Sequence, residues 1–330
     1  MKKIDSATIS ELLAGSTILG TGGGGRYDDA LRKVRDLPGI ELITIDEVPA
    51  DSLVVTAYGA GGLTKPQVGQ RALLRGLELL QQRLGKPIGA IVPVEIGPFS
   101  LAEAFWVATK LGVRVVDADL VGCRSVPEIF IELVTLARLS RCPLVFGNNE
   151  GDLVLLENAS SPERLEQLIR SFADSSASNT FVFGYPYNKT QLARAAAKGS
   201  VSYCLEVAAR LAQEFRLAGE GLVVADEKQE IDGFTRGRLE IAGNDRLTIE
   251  YKNEYLVLCR NGKVEVTCPD YIVVVNQDTG LGLNNGDDNR EKRVAVYVRP
   301  AIAQWRTAAA RRLFSPRTLG LPYNQRVLKG

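Results

Sequence analysis

The sequence predicts an α/β protein of two domains: an N-terminal α/β domain with a mostly parallel sheet, and a C-terminal α+β domain that carries a β-rich insertion. Between residues 40 and 157, strand patterns alternate with helical patterns, which is typical of parallel strands joined by helices. From Leu222 to Val298 the chain is rich in strands separated by turn signals. A polar break at residues 174–179 places the boundary, so we expect domains at 1–175 and 176–330, with the β-rich part at about 220–300.

The first domain is predicted element by element from apolar spacing and end signals. The helix at 67–84 has leucines at three-to-four spacing, and Ser160-Ser161-Pro162-Glu163 is a helix start that predicts a helix to Phe172. The strand at 88–94 is a short, continuous apolar run. The remaining helices are expected at 9–15, 28–34, 102–111 and 128–139, and the remaining strands at 40–45, 53–57, 113–116, 143–146 and 153–157.

The second domain is predicted to open with a strand at 180–184 and a helical region at 189–215 that is interrupted at Gly199. Its strands are separated by turn pairs, of which Asn261-Gly262 predicts a hairpin with a type I′ turn. In that register Cys259 faces Val264, and Cys259 and Cys268 share an apolar face with Val257, Val264 and Val266. The two cysteines are too far apart along the ladder for a disulfide.

Composition excludes several classes of function. The chain has 330 residues, with 40 Lys plus Arg against 39 Asp plus Glu, so no net charge recruits nucleic acid or anionic lipid. No uncharged apolar run approaches the roughly 20 residues of a membrane helix, and the N-terminus shows no signal-peptide pattern. We therefore expect a cytoplasmic protein with a small-molecule substrate, no nucleic-acid or membrane partner, and assembly as a homo-oligomer.

The chain contains no histidine. This absence excludes Ser-His and Cys-His nucleophile pairs and imidazole metal sites. Its five cysteines lack the C-x-x-C spacing of a zinc site. Any catalysis must therefore use carboxylates, cysteine, lysine, tyrosine or backbone dipoles.

A glycine-rich loop at 20–25 is the first candidate binding element. Five of its six residues are glycine, so backbone amides can surround an anion or a flat polar ligand, and a helix follows directly. We expect Gly22, Gly23, Gly24 and Gly25 to bind substrate. A second glycine cluster, which includes Gly61 and Gly62, ends the strand at 53–57 and is expected to line the same crevice.

Four carboxylates follow predicted strands at the edge where open α/β sheets bind ligands. They are Glu95, Asp117, Asp119 and Glu128. Bringing four such charges to one sheet edge costs free energy unless the groups are paired, bind a metal or take part in catalysis. Arg124 is a candidate partner or anion-binding residue. Cys123 beside it is a weak candidate nucleophile, since the aspartates oppose a thiolate. No cofactor is required by the sequence, and a divalent metal on Asp117 and Asp119 is compatible with it but not demanded.

These segments resemble the S-methyl-thiohydantoin desulfurase family, which accompanies the hydantoinase/oxoprolinase proteins. The resemblance covers nearly the whole chain and implies hydrolysis at C2 of a five-membered thiohydantoin or hydantoin-like ring. That reaction needs a carboxylate base, for which the four carboxylates are candidates, and donors for developing negative charge, for which the amides of residues 22–25 are candidates. The segments that carry it are 19–25, 93–97, 116–119 with Gly122, Pro127-Glu128, 233–237, Asn253-Glu254, Pro269-Asp270 and 278–280.

Four segments depart from the family pattern: Arg26-Tyr27, residues 97–100, the loop 120–124 and the polar segment 281–292. They lie in loops that the resemblance places near the site, so a shifted substrate or a lost activity is compatible with them.

Two alternative functions stay open. The spacing Gly20-x-Gly22-x-x-Gly25 with Asp46 fits a dinucleotide-binding oxidoreductase, and the fold could also serve a non-catalytic binding or assembly protein.

Overall fold

The computed structural model describes residues 2–61 and 65–329, and it shows the predicted two-domain α/β fold. The N-terminal part is built around an eight-stranded mixed sheet, and the C-terminal part around a seven-stranded antiparallel sheet. The strands of the first part are β1 (Lys2–Ile4), β2 (Ile40–Ile43), β3 (Leu53–Ala60), β4 (Ile88–Ile91), β5 (Arg114–Val116), β6 (Ala118–Asp119), β7 (Leu144–Gly147), β8 (Leu153–Leu156), β9 (Thr180–Tyr187) and β10 (Ala197–Lys198).

Nine α-helices accompany these strands in the described part of the chain. They are α1 (Ser6–Leu19), α2 (Tyr27–Val34), α3 (Gln70–Leu84), α4 (Pro98–Leu111), α5 (Leu133–Leu136), α6 (Pro162–Ser175), α7 (Lys189–Ala195), α8 (Ser200–Tyr203) and α9 (Val207–Glu214). The ends follow local chemistry. Asp5 accepts a hydrogen bond from the amide of Thr8 at the start of α1, and Ser161 caps α6 as its sequence predicts. Helices α3 and α4 end at Gly85 and Gly112, whose φ of 62° and 64° favour glycine.

The eight-stranded sheet has the order β1-β2-β5-β4-β3-β9-β7-β8. Its centre, β2-β5-β4-β3, is parallel, and the flanking strands pair antiparallel. Strand β9 lies inside this sheet although its sequence follows the expected boundary at 175/176; that boundary stays a prediction. Apolar clusters cover both faces of the sheet, as its buried parallel strands require.

The second sheet has the order β15-β14-β13-β12-β11-β17-β16. Its elements are β11 (Arg216–Ile231), β12 (Phe234–Gly243), β13 (Arg246–Lys252), β14 (Glu254–Arg260), β15 (Lys263–Thr267), β16 (Tyr271–Asn276) and β17 (Arg293–Arg299), followed by α10 (Ala308–Leu313). None of the helices described is long and apolar enough to cross a membrane.

The hairpin of β14 and β15 confirms the predicted turn and corrects the register beyond it. Asn261 and Gly262 have φ of 48° and 78°, as a type I′ turn requires, and Cys259 pairs with Val264. A bulge then shifts the pairing by one residue. Cys259 and Cys268 are both buried in one cluster, but Val266, expected beside them, packs into the cluster on the other face.

The predicted helix at 128–139 is wrong except for α5. The amide of Ile129 donates to the Glu166 carboxylate, and the amide of Leu133 donates to the carbonyl of Leu120 at 2.8 Å. Because these donors bond outside the segment, residues 128–132 stay irregular, and their carboxylates turn inward instead of lying along a helix.

Candidate active site

A small cavity lies between the two sheets, at the carboxyl ends of β3 and β4. We call it the site cavity; its volume is about 90 Å³. The glycine-rich loop, the end of β3, the loop after β4 and the turn between β13 and β14 all reach it. Its lining residues are Gly23, Gly24, Gly25, Gly59, Ala60, Gly61, Gln67, Glu95, Phe99, Val126, Arg170, Asn179, Asn253 and Glu254. The structure thus brings together the two predicted glycine clusters and Glu95, while Gly62 lies outside the described residues.

The glycine-rich loop is held by the second domain. The amide of Gly22 donates to the carbonyl of Leu283 at 2.7 Å, and the amide of Asn285 donates to the carbonyl of Gly22 at 2.8 Å. The amide of Gly24 is also used, since it donates to the carbonyl of Gly20 at 2.8 Å. Within the described chain the amides of Gly23 and Gly25 have no such acceptor, so these two of the four predicted donors remain available to a ligand.

The close approach of Glu254 disfavours any side chain at position 23 unless the carboxyl group moves away. A Cβ atom there would lie 2.1 Å from Glu254 Oε1, far inside van der Waals contact. Asn253, whose φ is +57°, forms the turn that presents Glu254, and the Asn285 side chain donates to its carbonyl at 2.6 Å. The polar segment 281–292 therefore holds both the glycine loop and the carboxylate that faces it.

Glu254 and Glu95 form a pair of carboxyl groups with raised pKa values. Burial raises the pKa of Glu254 to about 7, against the Ser125 hydroxyl and the Arg124 charge, which lower it. Desolvation, together with the Glu254 charge, raises the pKa of Glu95 well above its usual value, although the amide of Val126 donates to it at 3.0 Å. Glu254 Oε2 is buried and makes no hydrogen bond of regular geometry in the described structure, although the Ser125 hydroxyl lies near enough to lower the pKa of this carboxyl. An N–H donor of a ligand would complete the hydrogen bonding of Oε2.

Arg170 fixes the other wall of the site cavity. Its guanidinium donates to the carbonyls of Gly61 and Gly233 at 3.2 Å and of Pro127 at 3.0 Å, and pairs with Glu166 at 2.8 Å. One side chain thus ties three loops of the two domains together.

Glu128 does not line the site cavity; it forms an ion pair with Lys252. Both residues are buried, and desolvation lowers the pKa of Lys252 to about 8. The ring of Phe234 contacts two cations: its centroid is 3.9 Å from the Lys252 ammonium and 4.1 Å from the Arg170 guanidinium carbon. The expectation that Glu128 begins a helix is therefore replaced by a buried pair that joins the domains.

The two aspartates lie outside the site cavity and are engaged separately. Asp117 accepts from the amide and hydroxyl of Ser202 at 2.9 and 2.7 Å. Asp119 is fully buried and accepts from the amides of Val121, Gly122 and Cys123 at 2.7–2.9 Å. Burial raises its pKa to about 6, against these hydrogen bonds. Their catalytic role stays a prediction, but the observed bonds organise the loop after β6 and the start of α8.

Arg124 is also placed away from the cavity. It donates to the carbonyl of Pro269 at 2.6 Å and lies over the rings of Tyr271 and Phe314, at 5.0 and 4.9 Å. The neighbouring Cys123 thiol has a pKa raised far above its ordinary value by burial, which opposes thiolate chemistry. These contacts pack the domains together, and a role of Arg124 in binding substrate stays a prediction.

The described residues form neither a ligand set for a metal nor a dinucleotide-binding motif. In residues 2–61 and 65–329, no three Cys, Asp or Glu side chains converge as metal ligands. The dinucleotide fingerprint needs a strand before its glycine loop, whereas helix α1 runs to Leu19. Asp46 lies in a short 3-10 turn, and its backbone carbonyl accepts from Lys189.

Sequence reasoning missed Glu254, Asn253, Arg170 and Phe99 as site residues. Asn253-Glu254 was among the family-like segments, so that signal was available, but its distance from Glu95 in the sequence hid the pairing. Phe99 lies in segment 97–100, which departs from the family pattern, and its ring fills the space beside Gly59.

Two other segments that depart from the family pattern contact each other. Arg26 donates to Asp287 and to the carbonyl of Gly286, both at 2.6 Å.

A larger open groove of about 760 Å³ lies at the opposite edge, around Ile40, Gly89 and Arg114 at the amino ends of β2, β4 and β5. We place the candidate site in the smaller cavity because the raised carboxyl pair and the glycine loop meet there, at the edge where open α/β sheets bind ligands.

Comparison with known proteins gives two kinds of match. Models of the S-Me-THD-like N-terminal and C-terminal domains match residues 7–158 and 160–327. A crystal structure of a protein from Chromobacterium violaceum, from the Northeast Structural Genomics Consortium, has a TM-score of 0.77 and 20% identity over 100% of both chains; at this identity the likeness shows the fold alone. A comparison with curated proteins found no match.

Proposed function

Because the chain belongs to the S-methyl-thiohydantoin desulfurase family, we propose that it is a hydrolase acting at C2 of an S-methyl-thiohydantoin or a similar hydantoin-like ring. The observation that carries the proposal is the pair Glu95 and Glu254, two carboxyl groups with raised pKa values against a glycine-walled slot. Without histidine, a carboxyl group titrating near neutral pH is the group suited to acid–base work.

The size and chemistry of the site cavity favour one flat ring. Its volume of about 90 Å³ is far below the roughly 300–1,000 Å³ of pockets for drug-sized ligands. Residues 23–25 and 59–61 both line it, and the Phe99 side chain lies against Gly25 and Gly59. A ring N–H would meet Glu254 Oε2, and the amides of Gly23 and Gly25 would face charge that develops on an oxygen.

In the proposed reaction a water oxygen bonds to C2 and the C2–S bond breaks, which yields the hydantoin and methanethiol. Of the two water protons, one ends on the ring nitrogen and one on the sulfur. An ionised carboxyl takes a proton from the water while a protonated one gives a proton to the ring, and both return to their starting states when the thiol leaves. A pair with unequal pKa values can hold one proton between them, as this scheme requires.

The test is the release of methanethiol from an S-methyl-thiohydantoin, followed with a chromogenic thiol reagent and by chromatography of the hydantoin. We expect thiol and hydantoin in equal amounts, with loss of both in Glu95→Gln and Glu254→Gln. Absence of thiol release across a panel of ring substituents would reject the desulfurase proposal and favour a non-catalytic role.

A further inference from the structure

A second, smaller cavity adjoins the site cavity and shares Glu95 with it. We call it the inner cavity; its volume is about 50 Å³. The two cavities share Gly59, Ala60, Glu95, Val126 and Arg170 as wall residues. The inner cavity is further lined by Tyr58, Val94, Val121, Pro127, Glu128, Ile129 and Glu132.

The walls of the inner cavity suit water better than an organic ligand. Its polar lining comes from Tyr58, Glu95, Glu128, Glu132 and Arg170, which supplies both donors and acceptors. A water molecule needs about 10–15 Å³ of such space and two to four polar partners, so the inner cavity has room for roughly three.

A strained residue behind this polar wall holds two of its side chains. Tyr185 has φ of +60°, which is unusual for an aromatic residue, and it lies at a bulge between β3 and β9. The bulge directs its hydroxyl to Glu132 Oε1 at 3.0 Å and within 3.3 Å of the Tyr58 hydroxyl. Arg141 holds the other oxygen of Glu132 at 2.8 Å. Strain of this kind persists where the surroundings enforce it, often at functional sites.

We propose that the inner cavity stores and orients the hydrolytic water, which reaches C2 past Glu95 while the ring occupies the site cavity. The inference rests on the proposed function. Glu95 forms part of both cavities, so one carboxyl group can take the proton of a water held on one side and act on a ring held on the other. Tyr58 and Glu132 are positioning residues, because they touch the stored water and not the substrate. Tyr185 supports both of them through its hydroxyl.

The test fills the inner cavity without touching the site cavity. Val94→Ile adds a methylene to a residue that lines the inner cavity alone, and Val92→Ile makes the same change in the same segment at a buried residue that lines neither cavity. We expect Val94→Ile to lower kcat about 10²-fold, the cost of a misplaced reactant, with KM within twofold and a displaced water in its crystal structure. Val92→Ile should keep the wild-type kcat. Tyr58→Phe, which removes a single hydroxyl, should lower kcat about tenfold with KM unchanged.

Two results would overturn the inference. One is a high-resolution crystal structure of the wild-type protein without ordered water in the inner cavity; the other is wild-type kcat in Val94→Ile when its crystal structure shows the cavity filled. If no thiohydantoin is hydrolysed, the proposed function fails by itself, and the crystallographic occupancy of the cavity still decides whether it holds water.

Discussion

Replacing Glu254 by glutamine should stabilise the protein at high pH and abolish most of its turnover. The side chain is 4% exposed, and burial raises the pKa of its carboxyl from 4.5 to about 7. Each pKa unit is worth about 1.36 kcal/mol, so ionised Glu254 costs the folded state about 3 kcal/mol. Glutamine removes that charge at nearly constant shape.

The sign of the effect follows from where the proton is bound. Between pH 4.5 and 7 the folded state keeps the proton on Glu254 while the unfolded state loses it, so wild-type stability falls as pH rises through this window. The gain from Glu254→Gln should therefore be near zero below pH 4.5 and reach about 3 kcal/mol above pH 7, or roughly 4 °C in Tm for a chain of this length. The pKa of Glu95 should also fall, since the Glu254 charge helps to raise it.

The assay is chemical unfolding at pH 4.5, 6 and 8, paired with thiol release. Turnover should fall 10²-fold or more, the size of a lost acid or base. Glu78→Gln, at an exposed position of α3, is the matched control and should change neither quantity. An equal stability change at pH 4.5 and 8 would refute the burial argument, and wild-type turnover in Glu254→Gln would refute the assignment of the site.

Three further predictions follow from single contacts. Gly23→Ala places a Cβ 2.1 Å from Glu254 Oε1, so turnover should fall at least 10²-fold with the fold retained by circular dichroism; full activity would show that the carboxylate can withdraw at no cost. Asp119→Asn should lower the free energy of unfolding by about 1–3 kcal/mol through its three amide bonds, whereas a loss of turnover of 10²-fold without destabilisation would restore Asp119 as the base. Lys252→Met should cost about 3–5 kcal/mol in urea unfolding because it leaves Glu128 buried and unpaired, and adding Glu128→Leu should recover most of that loss; equal stability of the single and double variants would contradict the pairing.

Local signals in the sequence predicted the elements and part of the site. Apolar spacing and caps predicted α3, α4 and α6, and the Asn261-Gly262 turn was predicted with its geometry. These features depend on interactions between residues a few positions apart, so a short segment is enough to predict them. The glycine-rich loop and Glu95 were also predicted as site elements, because both lie at ends of regular elements.

The tertiary structure alone decided which carboxylates meet. Asp117, Asp119 and Arg124 looked like site residues from their place after a strand, yet their side chains are used within the protein. The partner of Glu95 is Glu254, which the second sheet delivers from far along the chain to a glycine loop that it also holds. Sequence patterns depend on residues that are close along the chain. The desolvation that raises these pKa values arises when the two domains pack together, so it cannot be predicted from a short segment.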